Sequence, residues 1–205
     1  MTLRRFAPAI AGAALLLLAG CASMGPGGSP ALPPAVSPAA PGTVVGQGTV
    51  LQVGDAAPQL CLGAIAESYP PQCAGAEIVG WDWDLLEIKE TEGDVTWGTF
   101  AVFGTWDGEL FTVTEDAVPL ALYDPMASDP DPRLDPANAG ENSDADLREI
   151  QEVVTTDSPV DVLFSFSENG YLFVTIYYDD GSIQEYFDAV YGADVIAVQS
   201  ALVSV

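Results

Sequence analysis

The feature that most constrains the fold is an alternation of apolar and polar residues, interrupted by tight-turn dipeptides. The alternation is clearest in residues 160–166 and 172–176. A period of two places one face of a strand against a core. Asp-Gly and Asn-Gly favour the type I′ turns of β-hairpins, and such pairs stand at Asp107-Gly108, Asn169-Gly170 and Asp180-Gly181. The pattern therefore predicts mostly antiparallel strands joined by short turns.

Strand-like runs also dominate residues 47–118, which we expect to form a small OB-like or barrel-like β domain. The segment Trp81-Asp82-Trp83-Asp84 alternates, so a strand would place both tryptophans on one face. Gly98 and Gly104 interrupt a long strand-like run. Glycines at such positions allow the bulges or bends that barrel closure needs.

The second half of the chain has a different organisation. Residues 119–142 form an acidic, proline-rich loop without an apolar period. Ser143 is a typical N-cap, and an apolar stripe predicts an amphipathic helix over 144–156. The alternating runs that follow predict a four-stranded meander, so 143–205 is expected to be an α+β unit. The predicted fold class is α+β, mostly antiparallel β, with one helix packed on that meander.

The charge balance excludes several classes of function. The chain has 30 acidic residues, 5 basic residues and no histidine, with a formal net charge of −25. Nucleic-acid binding requires a basic surface to replace phosphate counterions, so no nucleic-acid partner is expected. Without histidine, Ser-His and Cys-His nucleophile systems and imidazole metal sites are also excluded.

The N-terminus has the pattern of an export signal. Residues 1–20 combine the basic pair Arg4-Arg5 with a short apolar run. The run ends in Leu18-Ala19-Gly20-Cys21, which resembles the bacterial lipobox. That resemblance implies a lipoprotein precursor in which Cys21 is lipidated and holds the chain to the extracytoplasmic face of the cell membrane. An ordinary secretory signal with a chance cysteine is the alternative. Residues 21–46, rich in Pro, Gly and Ala, are then a tether.

Two further cysteines, Cys61 and Cys73, predict one disulfide in an exported protein, with two free thiols as the alternative. The motifs around them are Leu60-Cys61-Leu62-Gly63, Ser68-Tyr69-Pro70-Pro71-Gln72-Cys73, Gly80-Trp81-Asp82-Trp83 and Trp97-Gly98. Together they resemble a small cysteine-paired domain of exported actinobacterial proteins whose activity is uncharacterised. The resemblance covers about residues 47–114. It implies an exported location and the disulfide, but it assigns no catalytic residue.

Two sets of residues are candidates for ligand binding. The first set is the four tryptophans, Trp81, Trp83, Trp97 and Trp106. One hypothesis is that they form a stacking platform for sugars or aromatic ligands, and the other is that they pack in the core. The second set is four aspartates, Asp124, Asp129, Asp131 and Asp135. One hypothesis is that they bind calcium, and the other is that they belong to a solvated acidic loop. An EF-hand register fails because Arg133 occupies a ligand position.

The sequence therefore favours a non-catalytic, surface-displayed envelope lipoprotein that binds an envelope protein or a cell-wall ligand. No cofactor is expected, Ca²⁺ being the one candidate. The alternatives are a divalent-cation-binding lipoprotein and a carboxylate-dependent hydrolase. Paired carboxylates occur by chance in so acidic a chain, and no G-x-S-x-G nucleophile motif is present.

Overall fold

A computed structural model describes residues 37–124 and 130–205. The predicted signal peptide 1–20, the lipidation site Cys21 and most of the tether lie outside the described residues. Within the described ranges, neither helix has the length and apolar character needed to cross a bilayer.

Eleven strands and two α-helices form the described part of the chain. In chain order the strands are β1 (Val44–Val53), β2 (Gln59–Cys61), β3 (Ala76–Val79), β4 (Glu90–Glu92), β5 (Val95–Trp106), β6 (Phe111–Val113), β7 (Val118–Pro119), β8 (Phe164–Glu168), β9 (Tyr171–Ile176), β10 (Ile196–Ser200) and β11 (Leu202–Ser204). The helices are α1 (Asp144–Thr156) and α2 (Ser182–Tyr191). The predicted class, α+β with mostly β structure, is confirmed.

Five strands close into a barrel in the order β1-β2-β3-β6-β5, and β5 returns to β1. All neighbours are antiparallel except β3 and β6, which are parallel. This is the strand order of an OB-fold, so the expectation of an OB-like barrel is confirmed. Closure depends on the long β1, which pairs with β5 from Val44↔Gly104 to Val53↔Val95. Because every barrel strand has two neighbours, the barrel has no free edge at these positions.

Large apolar side chains fill the barrel. Phe100, Phe111 and Leu60 are fully buried there. Two predicted glycines make this packing possible. A Cβ at Gly104 would lie 2.1 Å from the carbonyl oxygen of Thr112, and one at Gly98 would lie 2.6 Å from the Phe100 ring. Both positions therefore require glycine because another backbone or ring approaches too closely for any side chain.

The expected strand through the two tryptophans is wrong. Strand β3 ends at Val79, and a 3₁₀ turn occupies Trp83–Leu85, where Asp82 caps the turn by accepting a hydrogen bond from the Asp84 N–H at 2.8 Å. Both indoles nevertheless pack against the barrel core.

The second sheet contains β8, β9 and β10. Asn169-Gly170 joins β8 to β9 with positive φ at both residues, as the predicted hairpin turn requires. Helix α1 begins after Ser143, whose hydroxyl accepts a hydrogen bond from the Asp146 N–H, as predicted. Leu147 and Val154 are its buried residues.

The expected four-stranded meander is wrong in its third strand, which is helix α2. Ile183 and Phe187 are both buried. Residues four apart share a face in a strand and in a helix, so this pair could not distinguish the two structures. Asp180-Gly181 therefore begins a helix and is no hairpin turn. The Asp179 carboxylate accepts hydrogen bonds from the Gly181 and Ile183 N–H groups. Because a helix connects them, β9 and β10 are parallel.

The last predicted strand is divided between two sheets. Strand β10 belongs to the three-stranded sheet, and β11 pairs with β1 of the barrel through Val44↔Ser204. Leu202 and the Tyr177 side chain both pack in the barrel core. The C-terminal unit therefore contributes directly to the barrel.

The acidic, proline-rich segment packs on the β8–β9 hairpin. The Asn169 side-chain amide donates to the carbonyl oxygens of Arg133 and Asp135, both at 2.8 Å. The Tyr171 hydroxyl donates to the Asn138 carbonyl at 3.0 Å. The attached segment contains two 3₁₀ turns, Pro132–Leu134 and Pro136–Asn138.

Candidate functional site

A cleft of about 540 Å³ opens where the barrel meets the α+β unit. We call it the interunit cleft. The barrel contributes the amino-terminal end of β3 and the loop between β5 and β6, with Trp106 and Glu109 among the lining residues. The other wall contains Thr156 and Asp161, and Tyr177. Its volume lies in the usual range for small-ligand sites, about 300–1,000 Å³.

Tyr177 connects the two walls. Its hydroxyl accepts a hydrogen bond from the Ala76 N–H at 2.7 Å, and its ring stacks on Trp106 with centroids 4.8 Å apart. Burial raises the pKa of Tyr177, and the charge of Asp161 contributes to the rise. Tyr177 is therefore a neutral phenol at physiological pH and a fixed part of the cleft wall.

Trp106 is 3% exposed, and its indole Nε1 has no hydrogen-bond partner among the described residues. A buried donor without an acceptor costs about 1–3 kcal/mol. The Trp106 side chain, which contributes to the cleft wall, therefore carries a buried donor that the described part of the chain does not satisfy.

The first described residue, Ser37, also lines the interunit cleft. The chain then follows the barrel, since the Ala40 N–H donates to the Trp106 carbonyl at 3.0 Å. The described end of the predicted tether consequently runs along the rim of the cleft and packs on the barrel.

The predicted Cys61–Cys73 disulfide is present. Cys61 is buried beside Leu51 and Trp97. Cys73 directly precedes the segment Ala74-Gly75-Ala76, which lines the interunit cleft. The disulfide therefore links the end of β2 to the segment that forms the barrel side of the cleft.

The four tryptophans do not form one platform, so that hypothesis is wrong in its full form. The Trp81 and Trp83 rings meet edge to face at 5.2 Å. Trp97 is 7% exposed and lies by the disulfide, where the Tyr69 ring meets it at 5.4 Å. The fourth indole, that of Trp106, lies in the wall of the interunit cleft. Trp106 belongs to the barrel core, Trp81 and Trp83 pack against that core, and Trp97 packs beside the disulfide, so core packing describes the tryptophans better than one stacking surface does.

Trp81 lines a second, smaller pocket of about 380 Å³, together with Asp82, Leu85 and Asp116. The pocket lies at the carboxyl ends of the parallel strands β3 and β6, whereas the interunit cleft lies at their amino ends. The Trp83 indole N–H donates to the Gln52 side-chain oxygen at 2.7 Å, so that ring is held in place by the barrel.

The candidate calcium ligands are only partly described, and Asp129 lies outside the described residues. Asp124 is exposed. Asp131 binds Arg133 through both carboxylate oxygens, at 2.9 Å each. The hydrogen bond from Arg133 lowers the pKa of Asp131. Asp135 accepts a hydrogen bond from the Ala137 N–H.

Across residues 37–124 and 130–205, no three His, Cys, Asp or Glu side chains converge as a metal site would require. Asp131 and Asp135 instead cap the two 3₁₀ turns.

No protein-family model, curated protein or solved structure matches this chain. The interunit cleft is thus identified from its geometry alone. Glu109, Asp161 and Tyr177 were not predicted as site residues. No local sequence pattern marks these three residues, because they are far apart in the chain and only the fold brings them together.

Proposed function

We propose that this protein is a non-catalytic lipoprotein of the cell envelope that binds a wall component or an envelope protein in the interunit cleft. The observation that carries the proposal is the cleft itself, which has the size of a ligand site and walls from both units. Its rim includes Ser37, sixteen residues after the predicted lipidation site Cys21. A lipid on Cys21 would keep the cleft near the membrane surface, within reach of envelope ligands.

Binding is favoured over hydrolysis by the surroundings of the two cleft carboxylates. Carboxylate-based glycoside hydrolysis needs one acid shielded from water and one that remains ionised. Glu109 and Asp161 are both exposed. Binding is favoured over a calcium site in the acidic loop because Arg133 already engages both oxygens of Asp131.

Site-specific photo-crosslinking in living cells tests the binding site. Thr156 lines the cleft and is exposed, so a photoreactive amino acid at this position would face a bound ligand. Glu92 on β4 is also exposed but is not among the residues that line the cleft, and it is the matched control. We expect discrete crosslinked species from position 156 and none from position 92. Equal crosslinking at both positions, or none at 156, would contradict the proposed site.

Cell fractionation tests the anchor separately. Cys21→Ser removes the predicted lipid acceptor, so the variant should leave the membrane pellet. If the variant stays in the pellet after salt and carbonate washes, lipid anchoring through Cys21 is wrong.

A further inference from the structure

Strand β10 lies at one edge of the three-stranded sheet, because the strand order is β10-β9-β8. Its inner edge bonds to β9, where the Leu172 N–H donates to the Val195 carbonyl at 2.9 Å. Successive residues of a strand direct their backbone N–H and C=O groups to opposite edges. The backbone groups of Ile196, Val198 and Ser200 therefore point to the outer edge of β10.

The side-chain amide of Gln184, on α2, occupies this outer edge. Its Nε2 donates to the Ile196 carbonyl at 2.9 Å, and its Oε1 accepts from the Val198 N–H at 2.9 Å. A residue of a parallel strand placed beside Ala197 would make the same two hydrogen bonds, to the residue before and the residue after its partner. The Gln184 amide thus takes the place of one residue of a fourth strand.

The orientation of this amide is fixed by a third hydrogen bond. Nε2 of Gln184 also donates to the Asp188 carboxylate, one turn further along α2, at 2.8 Å. An ionised carboxylate only accepts hydrogen bonds, so it holds the amide nitrogen toward itself and leaves the amide oxygen for Val198. Helix α2 is in turn held on the sheet by Ile183 and Phe187, which are buried in the core of the α+β unit.

The sequence of this edge is suited to strand pairing. Residues 195–205 contain no charged side chain, no proline and no glycine, although the whole chain contains 30 acidic residues. Uncharged runs of high β-propensity pair readily with copies of themselves, and charged residues or proline usually protect such edges. Because the strand itself has neither, its protection comes from α2.

The opposite edge of the sheet has a similar contact. Strand β8 is the other edge strand, and Nε2 of Gln151, on α1, donates to the Ser165 carbonyl at 3.1 Å and to the Ser165 hydroxyl at 3.0 Å. Each edge strand of this sheet therefore has a backbone carbonyl bonded to a glutamine from a helix that packs on it.

We propose that Gln184 closes a strand-pairing surface and so prevents two copies of this chain from joining through β10. With the amide removed, the outer edge of β10 pairs with β10 of a second copy, antiparallel and about a two-fold axis, since each edge then meets an identical one. That pairing again provides partners for the Ile196 carbonyl and the Val198 N–H. Gln184 does not line the interunit cleft, so this surface is distinct from the proposed binding site.

Sedimentation equilibrium of the full-length protein in density-matched detergent micelles tests the proposal. Gln184→Met keeps the length of the side chain but removes the amide, and Glu185→Ala is the matched control at an exposed position of the same helix. We expect the natural protein and Glu185→Ala to remain monomers, and Gln184→Met to form dimers of twice the monomer mass. Adding Gln199→Lys to Gln184→Met should restore the monomer, because a lysine on the edge places like charges against each other in the dimer.

Circular dichroism distinguishes pairing from unfolding. If Gln184→Met does not fold, Gln184→Ala, which leaves room for water at the edge, takes its place in the same measurement. Four results would overturn the proposal: dimers of the natural protein, a folded Gln184 variant that stays monomeric, equal association of Glu185→Ala, or dimers that persist with Gln199→Lys. Unfolding of both Gln184 variants would also overturn it, because the amide would then be required for folding and not for closing an edge.

Discussion

Removing the Cys61–Cys73 crosslink should destabilise the protein by an amount that follows from the loop it closes. The two cysteines are 12 positions apart. In the chain-entropy model, closing a loop of this length restricts the unfolded chain by about 3 kcal/mol. Cys73→Ser is the better perturbation because Cys73 is half-buried, whereas Cys61 is buried against Leu51 and Trp97. A change at Cys61 would add a packing defect to the lost crosslink.

Thermal and urea unfolding of the purified protein measure the effect. For a chain of this size, a loss of about 3 kcal/mol lowers the melting temperature by roughly 6–12 °C. The matched control is a reductant, which should lower the melting temperature of the natural protein and leave that of Cys73→Ser unchanged. A variant that melts within about 2 °C of the oxidised protein would refute the entropic reasoning. It would mean that the β2–β3 pairing, Leu60↔Ala76, already restricts this loop.

Three further perturbations have defined outcomes. Tyr177→Phe removes the acceptor of the Ala76 N–H and should cost about 1–2 kcal/mol in urea unfolding; an unchanged midpoint would contradict that hydrogen bond. The Arg133 hydrogen bond lowers the pKa of Asp131, so the ionised carboxylate stabilises the fold at pH values above the ordinary aspartate pKa of about 3.9. This stabilisation is lost as the pH falls through the lowered pKa of Asp131 in the folded protein. Asp131→Asn should therefore cost about 0.5–1 kcal/mol at pH 7 and nothing at strongly acid pH; an equal cost at both would contradict the ion pair. Raising NaCl from about 0.01 to 0.15 M should raise the melting temperature because the salt screens repulsion among the 30 acidic residues. An unchanged melting temperature would exclude charge repulsion as a force that opposes folding. A further rise in melting temperature with about 1 mM Ca²⁺ would favour the divalent-cation alternative.

Elements that depend on neighbouring residues were predictable from the sequence. Helix α1 was predictable from its N-cap, Ser143, and from an apolar stripe whose spacing fits only a helix. The Asn169-Gly170 turn follows from the positive φ that these two residues tolerate. Only one intramolecular disulfide was possible once Cys21 was assigned to the lipid, so the pairing of Cys61 and Cys73 required no knowledge of the fold.

Helix α2 shows where local pattern was insufficient. Ile183 and Phe187 fit a strand and a helix equally, but a strand would place Glu185 on their face, whereas a helix turns it away. Glu185 is exposed. This glutamate was therefore the signal for a helix.

Only the tertiary structure decided where distant segments meet. The sequence by itself determined an acidic, strand-rich chain with one clear helix and one disulfide. It did not determine that β11 would pair with β1 across the length of the chain, nor that Trp106, Glu109, Asp161 and Tyr177 would line one cleft. The physical reason is that an alternation of apolar and polar residues indicates which face of a strand is buried but not which strand lies beside it. Strand partners are set by closure of the barrel and by packing of the whole core, and the candidate site exists only after both are complete.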